Sequence, residues 1–462
     1  MNILSAGFLI LVFSSLLIYY RLSQKFQTLL LISMSIFFYI YSLRFDNLIF
    51  FSHVLLVYVL LRLGQRFTNK ITISIFKFII IFITVLPLLI YKYGNIVGLN
   101  NLDFAPLGIS FITFMMLGYI LDFMRNPIKS RINASKYIFL NFFFPHITSG
   151  PIARKEMFEP QISKKKIFAI DCFERAFYLI TLGVFQKFVI ANRISMFSDP
   201  VFETPASYLG YPLLIAVYLF SFQLYFDFLA YSNIAVGIAR LFGYKLIINF
   251  NKPYLATSIS DFWRRWHISL SNWLRDYVYI GLGGNRKGTI RKYVNILVTF
   301  FVSGLWHGST SLFILWGVMH GLLIIGEGLT SKFFTKLRLS FKMPKPIGVF
   351  LTFNLITFLW IFFKAGSFSK YTYLVANLFK IENYAGSTYA IISNRDILTN
   401  IEISIVLIFL FMTIEIVDEF KIIPWIKLFN NSLSKIVIYT AILISLLFFG
   451  VFGLQNFYYV RF

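Results

Sequence analysis

Residues 258–321 hold most of the side chains in this chain that could do chemistry. They read SISDFWRRWHISLSNWLRDYVYIGLGGNRKGTIRKYVNILVTFFVSGLWHGSTSLFILWGVMHG. Three of the five histidines, His267, His307 and His320, fall here with Trp263, Trp266, Trp273, Trp306 and Trp316, five of the seven tryptophans. His307 lies where two apolar runs meet, beside Gly304, Gly308 and Ser309, and is the only ionisable side chain between Tyr293 and His320. An ionisable residue in an apolar span is costly and marks a functional site by default. Burial disfavours the imidazolium and leaves a neutral ring able to take a proton from a hydroxyl. A core histidine bonded to a backbone carbonyl of a neighbouring helix fits these residues equally well. For His320, Glu327 and Asp227, a polar contact between packed helices is the simpler role.

The first part of this stretch is charged and rich in tryptophan. Ser258 and Asp261 have the spacing of a capping box, which predicts a helix from about 260 to 276. Trp263, Trp266, Leu270 and Trp273 form its apolar face, and Arg264, Arg265, Arg275 and Asp276 the other. That composition suits a helix lying in the membrane interface, with His267 a structural residue at the edge of the aromatic face. GLGGNRKG, residues 281–288, is a basic glycine-rich loop without P-loop or dinucleotide-binding spacing, and reads as a tight turn. Gly-x-Ser-x-Gly and His-Glu-x-x-His are absent, so an enzyme built here would use His307 without a protein serine or a metal. The single Cys172 excludes an internal disulfide and a cysteine metal cluster.

The rest of the chain must position this stretch, and its composition says how. Of 462 residues, 58% are hydrophobic, 20% aromatic and only 13% charged. A soluble protein carries about a quarter charged residues. The chain is therefore expected to be an all-α polytopic membrane protein in one domain, residues 1–462. Candidate spans of mostly apolar residues are 3–20, 28–43, 47–63, 71–91, 105–124, 173–191, 208–228, 293–307, 311–328, 347–363, 401–418 and 435–455, which makes about 11–12 transmembrane helices. The net charge of +24, from 43 Lys+Arg against 19 Asp+Glu, is spread over short segments between these runs, which argues against nucleic acid as a partner. Basic loops at 21–27, 62–70 and 125–136 are cytoplasmic by the positive-inside rule, which puts both termini outside. Residues 137–152, YIFLNFFFPHITSGPI, precede the basic Arg154, Lys155 and Lys164–Lys166, and are predicted to re-enter the membrane without crossing. MNILSAGFLILVFSSLLIYYR lacks a basic n-region and a cleavage site and is expected to be a retained helix.

Four motifs stand in order: PLGISFITFMMLGYILDFMR (106–125), FFPHITSGPIAR (143–154), SDFWRRWHISLSNWLRDYVYIGLGGNR (260–286) and GLWHG followed by WGVMHG (304–321). Over roughly residues 100–330 the chain resembles the membrane-bound O-acyltransferases, in particular the bacterial branch of alginate and peptidoglycan O-acetyltransferases and D-alanyl-teichoic-acid transferases. The resemblance implies re-entrant and interfacial helices around a central funnel. It makes His307 the catalytic histidine and His267, 40 residues earlier at the second signature position, a second catalytic-site residue. Trp306, Trp263, Arg264, Asp261, Asn285 and His320 become candidates for the substrate path.

The family takes an acyl thioester from the cytoplasm and delivers the acyl group to an extracytoplasmic hydroxyl. The resemblance thus implies an acetyl-CoA or related thioester donor, no bound cofactor, and a polysaccharide acceptor, peptidoglycan ahead of alginate, other exopolysaccharide or teichoic acid. An extracytoplasmic acetyltransferase partner, membrane lipid as surroundings and a bacterial inner-membrane location go with it. The chain ends FYYVRF, similar to an aromatic hexapeptide of related systems, which makes Tyr459 a candidate acyl carrier. An aromatic anchor at the membrane boundary also fits this tail. A transporter or lipid-binding scaffold is the alternative class; the absence of inverted repeats and the two histidine motifs argue against it.

Overall fold

A computed structural model describes residues 5–41, 45–67, 69–99, 105–125, 132–337, 343–380, 395–420, 431–453 and 457. Among these residues there is no strand. In hydrocarbon a helix satisfies its own backbone, so an apolar run has no other stable form. Helices α1 (Ala6–Tyr19), α2 (Gln24–Ile40), α3 (Phe45–Gly64), α4 (Lys70–Tyr93) and α5 (Ile109–Arg125) come first. Then follow α6 (Ala134–Phe142), α7 (Lys155–Ile162), α8 (Ile170–Phe185), a π-helical turn (Gln186–Ala191), α9 (Asn192–Glu203) and α10 (Tyr211–Leu241). The remainder comprises α11 (Ile259–Arg265), α12 (Ile268–Trp273), a second π-helical turn (Leu274–Tyr279), α13 (Thr289–His307), α14 (Ser311–Lys336), α15 (Lys345–Lys364), α16 (Phe368–Asn377), α17 (Arg395–Glu419) and α18 (Ser432–Phe449).

Each predicted apolar run coincides with a helix. Among the described residues, seven helical runs are long and apolar enough to cross a membrane, and Gly7–Tyr19, Gln24–Ile40 and Leu433–Phe449 are shorter apolar helices. The chain is an all-helical, multi-pass membrane protein. Helices α5 and α13, on the predicted spans 105–124 and 293–307, are not among these runs.

The chain packs as two compact units. The first comprises Met1–Ile180 and Ser232–Ile248. In it, the predicted re-entrant segment forms α6, nine residues, and then turns through 144–149. Nine helical residues reach about 13 Å, under half of the roughly 30 Å apolar core of a bilayer. Phe139, Phe143, Phe158 and Tyr244 pack ring against ring around this segment, at 4.8–5.6 Å. Side-chain amides fix the basic stretch after α7: Gln27 Nε2 donates to the Lys166 carbonyl at 2.8 Å, and Lys166 N–H donates to Gln27 Oε1 at 2.9 Å.

The second unit comprises Thr181–Tyr231 and Asn249–Phe462 and holds the histidine-rich stretch. Its core includes Trp266, Trp316 and Trp360, each 1% exposed. Helices α13 and α14 form a tight hairpin because two glycines let their backbones touch. A Cβ on Gly317 would collide with the Phe300 carbonyl oxygen, and one on Gly304 with that of Phe313. Small residues at such crossings are how membrane helices gain contact without a hydrophobic driving force. The single helix predicted from 260 to 276 is not what forms: α11 ends at Arg265, and α12 starts at Ile268.

Gly317→Ala is expected to destabilise the purified chain by about 1–3 kcal/mol through overpacking. Gly326→Ala, nine residues along the same helix with no heavy atom within 4 Å of its new methyl, should be neutral or up to about 1 kcal/mol more stable. Thermal melts of both variants in one detergent check this pair.

Candidate active site

The break between α11 and α12 is the local event that builds the site. Ser258 Oγ accepts from Asp261 N–H at 3.0 Å, as the capping spacing predicts. Glu327 of α14 also caps α11: its carboxylate accepts from the Ile259 N–H, the Ser260 N–H at 3.1 Å and Ser260 Oγ at 2.8 Å. A carboxylate is favoured at a helix N-terminus. At the other end Trp266 is extended and His267 adopts φ 43°, ψ 52°, the left-handed region. A residue other than glycine there carries strain, which persists only where neighbours enforce it.

Residues 249–251 are the enforcing neighbours. Asn249 O accepts from Ile268 N–H at 2.9 Å, and Asn249 Oδ1 from Ser269 Oγ at 2.7 Å and Ser269 N–H at 3.3 Å. Asn251 N–H donates to Arg265 O at 3.0 Å. In an unbroken helix His267 would share a face with Arg264, three residues earlier. Arg264 has a side chain 73% exposed. The break turns His267 inward, to 1% exposure, edge-on to Phe228 at 4.7 Å. Burial lowers its pKa to about 3, so the ring is neutral.

Tryptophans link the three histidines into one chain of rings. Trp306 lies 6.0 Å from the His267 ring and 4.6 Å from His307. Trp316 packs edge-on at 4.9 Å against both His307 and His320. Trp263 Nε1 donates to His320 Nδ1 at 3.2 Å, which puts the His320 proton on Nε2. His307 is the last residue of α13, 2% exposed, with Phe363 of α15 at 5.0 Å. His320 is fully buried and its tautomer is set by Trp263, the polar packing contact foreseen for it.

A cavity of about 380 Å³ opens beside this chain. Ser260, Trp263 and Arg264 of α11, Ser271 and Asn272 of α12, and Leu274, Arg275 and Tyr279 after it line one side. Ile296, Thr299, Phe300 and Ser303 of α13 and Ile324 of α14 line the other. Most of this wall is apolar. Thr299, Ser303 and His307 are spaced four residues apart, so the cavity wall leads along one helix face to His307, a turn and about 6 Å beyond Ser303. Ser303 Oγ is buried and has no hydrogen-bond partner among the described residues. Arg264 and Arg275, with side chains 73% and 58% exposed, set two guanidiniums at the same cavity. Such an arrangement can hold an apolar arm ending in an anionic group, with a buried histidine one turn past Ser303 on its wall.

Residues 19–365 match the profile of MBOAT, the membrane-bound O-acyltransferase family. The chain belongs to the membrane-bound O-acyltransferase family. It is an O-acyltransferase. Among the relatives of this acyltransferase, a peptidoglycan O-acetyltransferase of Helicobacter pylori is 32% identical over 387 residues, 75% of this chain and 72% of the relative. A probable alginate O-acetylase of Pseudomonas aeruginosa is 31% identical over 366 residues, 75% of this chain and 69% of the relative. A teichoic acid D-alanyltransferase of Streptococcus thermophilus is 32% identical over 308 residues, 61% of this chain and 74% of the relative.

The acyltransferase structure brings Trp263 and Arg264 to the cavity wall, and sets Trp306 between His267 and His307. Asp261 does not line the cavity; its carboxylate pairs with Arg265 at 3.0 Å and Arg264 at 3.5 Å. Asn285 is exposed in the turn at 281–288 and lies off the cavity. Tyr459 lies outside the described residues. Among the described residues no three His, Cys, Asp or Glu side chains are grouped to hold a metal. Asn249 and Ser303 were not foreseen: both are common polar residues, and nothing local in INFNK or FVSGL announces a role.

Asn249→Ala should cost about 1–3 kcal/mol, because it strands a buried donor and releases His267. Asn285→Ala should change stability by under about 0.5 kcal/mol; thermal melts compare them. The lowered pKa of His267 implies a sign. The unfolded chain takes up this proton near its ordinary value of 6.5 and the folded chain only near 3, so stability contributed above pH 6.5 is lost as pH falls toward 3. The melting temperature of His267→Asn is therefore expected to fall less between pH 6.5 and 4 than that of the unaltered protein.

Proposed function

We propose that this O-acyltransferase moves an acetyl group from a cytoplasmic thioester to a hydroxyl of an extracytoplasmic envelope polysaccharide. Peptidoglycan is the favoured acceptor, ahead of alginate, another exopolysaccharide or teichoic acid. One observation carries the reading: a buried histidine ends α13 one turn beyond an apolar cavity flanked by two exposed arginines. The relatives' names supply the acyl group and the acceptor class, acetyl on peptidoglycan and alginate. A pantetheine-type arm suits the apolar wall, and the phosphates of acetyl-CoA or of a related carrier suit Arg264 and Arg275.

The chemistry then runs without a metal or a protein serine. His307 takes the proton of the acceptor hydroxyl as its oxygen attacks the thioester carbonyl. The C–S bond breaks, an ester forms, and the thiolate leaves with the proton from His307. Fixing donor and acceptor against one ring supplies much of the rate by positioning. His267 stays neutral and shapes the site through Trp306. In a second route Tyr459 accepts the acetyl group as an aryl ester by the same steps. The acceptor hydroxyl then displaces the phenol, helped by an extracytoplasmic partner acetyltransferase. The whole chain acts as one membrane-embedded domain in the bacterial inner membrane, with both termini extracytoplasmic, as the basic loops support.

A deletion strain complemented with the unaltered chain or with His307→Ala tests the reading, at equal membrane abundance. Base-releasable acetate in fractionated envelope polymers should fall on the order of 10²-fold or more with His307→Ala, and the fraction affected names the acceptor. Acetate unchanged in every fraction would remove acetyl transfer to these polymers.

A further inference from the structure

Lys364 is the last residue of α15 and is tied to two other helices. Its Nζ donates to Asp199 Oδ1 of α9 at 2.6 Å and lies 5.1 Å from the centroid of the Phe220 ring on α10. The two charged side chains are each 11% exposed. Gln223 of α10 donates from Nε2 to the same Asp199 oxygen at 3.0 Å, and Ser198 Oγ donates to Gln223 Oε1 at 2.5 Å. A cation suits the last turn of a helix, whose final carbonyls have no partner within the helix. The chain then turns away at once, through Gly366 at φ 72°. A directional network from three helices thus holds the end of α15.

What that end carries is Phe363. Its ring, 2% exposed, meets the His307 ring edge-on at 5.0 Å and lies 5.0 Å from Phe313 and 5.6 Å from Trp316. Trp360, about one turn earlier on α15, faces His320 instead, at 6.4 Å. Apolar contact is non-directional, so rings alone leave the last turn of a helix free to rotate about its axis. A desolvated ion pair is a costly way to hold two helices together, since an apolar pair of like volume does as well or better. Its best-attested use is to fix a register.

We propose that Asp199 and Lys364 are positioning residues for His307. Their ion pair, backed by Gln223 and Ser198, fixes the last turn of α15 and with it the Phe363 ring that packs on the imidazole. The lock stands on the contacts above; its consequence for acyl transfer rests on the reading of His307 as the base that takes the acceptor's proton. With the pair removed, Phe363 loses its register and His307 its single orientation. Transfer then slows while the cavity, which no residue of α9 or α15 lines, stays intact.

The test uses the purified full chain in detergent. Diethyl pyrocarbonate modifies imidazoles, and peptide mass spectrometry reads its rate at His307 and, as an internal reference, at His320. The double variant Asp199→Asn, Lys364→Met removes both charges at once and keeps an oxygen for Gln223. It is expected to melt near the parent, since removing a whole buried pair is often neutral. His307 in it should label roughly tenfold faster or more, with His320 unchanged. Lys364→Arg, which keeps a cation for Asp199, should stay within about threefold of the parent at both rings. If the double variant fails to accumulate, Asp199→Leu with Lys364→Met decides. His307 labelling at the parent rate overturns the lock. Both rings labelling faster together also overturns it, because that reports a loosened unit and no link to one ring. The same variants in the complemented deletion strain test the consequence. Faster labelling of His307 with base-releasable envelope acetate lowered roughly tenfold or more supports the lock and its role in transfer. Faster labelling with that acetate unchanged overturns the role in transfer. Parent complementation that restores no acetate sinks the acetyl reading, and the labelling rates still decide the lock.

Discussion

The backbone contact between α13 and α14 is what the candidate site depends on. Lipid chains are as apolar as leucine, so helices in a bilayer gain little by hiding side chains from one another. They associate where surfaces fit closely, and Gly304 and Gly317 provide that fit by having no Cβ to hold the Phe313 and Phe300 carbonyls away. The close approach sets Trp316 of α14 against His307 at the end of α13, at 4.9 Å. It also keeps Phe300 and Ile324 together on the cavity wall.

A second constraint follows from the apolar surroundings: each buried polar group needs a partner or a purpose. In the second unit most partners act at a distance in sequence. Glu327 caps α11 from α14, and Asn249 clamps the turn at His267 from the preceding loop. Lys187 and Asp227 neutralise each other across 40 residues. These bonds cost more to break than a surface contact does, because in each case a donor, acceptor or charge would be left without water. They explain how short pieces such as α11 and α12, seven and six residues long, keep one geometry. Helices of that length are not stable by themselves.

The broken helix has a chemical effect as well. It leaves Arg264 outward, where charge is solvated, and turns His267 inward, where charge is excluded. An exposed guanidinium and a buried ring system thus sit on adjacent faces of one short stretch. The rings of His267, Trp306, His307, Trp316 and His320 pack in sequence behind it, each buried.

Much of this was legible from residues alone. Hydropathy located the helices, since an apolar run in a membrane has one backbone solution. The isolation of His307 between two apolar runs marked the site, and the spacing of Ser258 and Asp261 marked the start of α11. Lys187 was legible in principle, as a lone lysine inside the apolar run 173–191, yet hydropathy averages such a residue away. The helical periodicity of Trp263, Trp266, Leu270 and Trp273 predicted one continuous helix and was overruled. Those tryptophans are buried on several partners at once, and Asn249, outside the stretch, bonds the turn open. Sequence by itself therefore determined the class of fold, the runs that become helices and the histidine set where two apolar runs meet, all properties of composition and local order. Tertiary structure decided the turn at His267, the cavity beside Ser303 and the buried pair of Lys187 and Asp227, because each depends on groups that only the fold brings together.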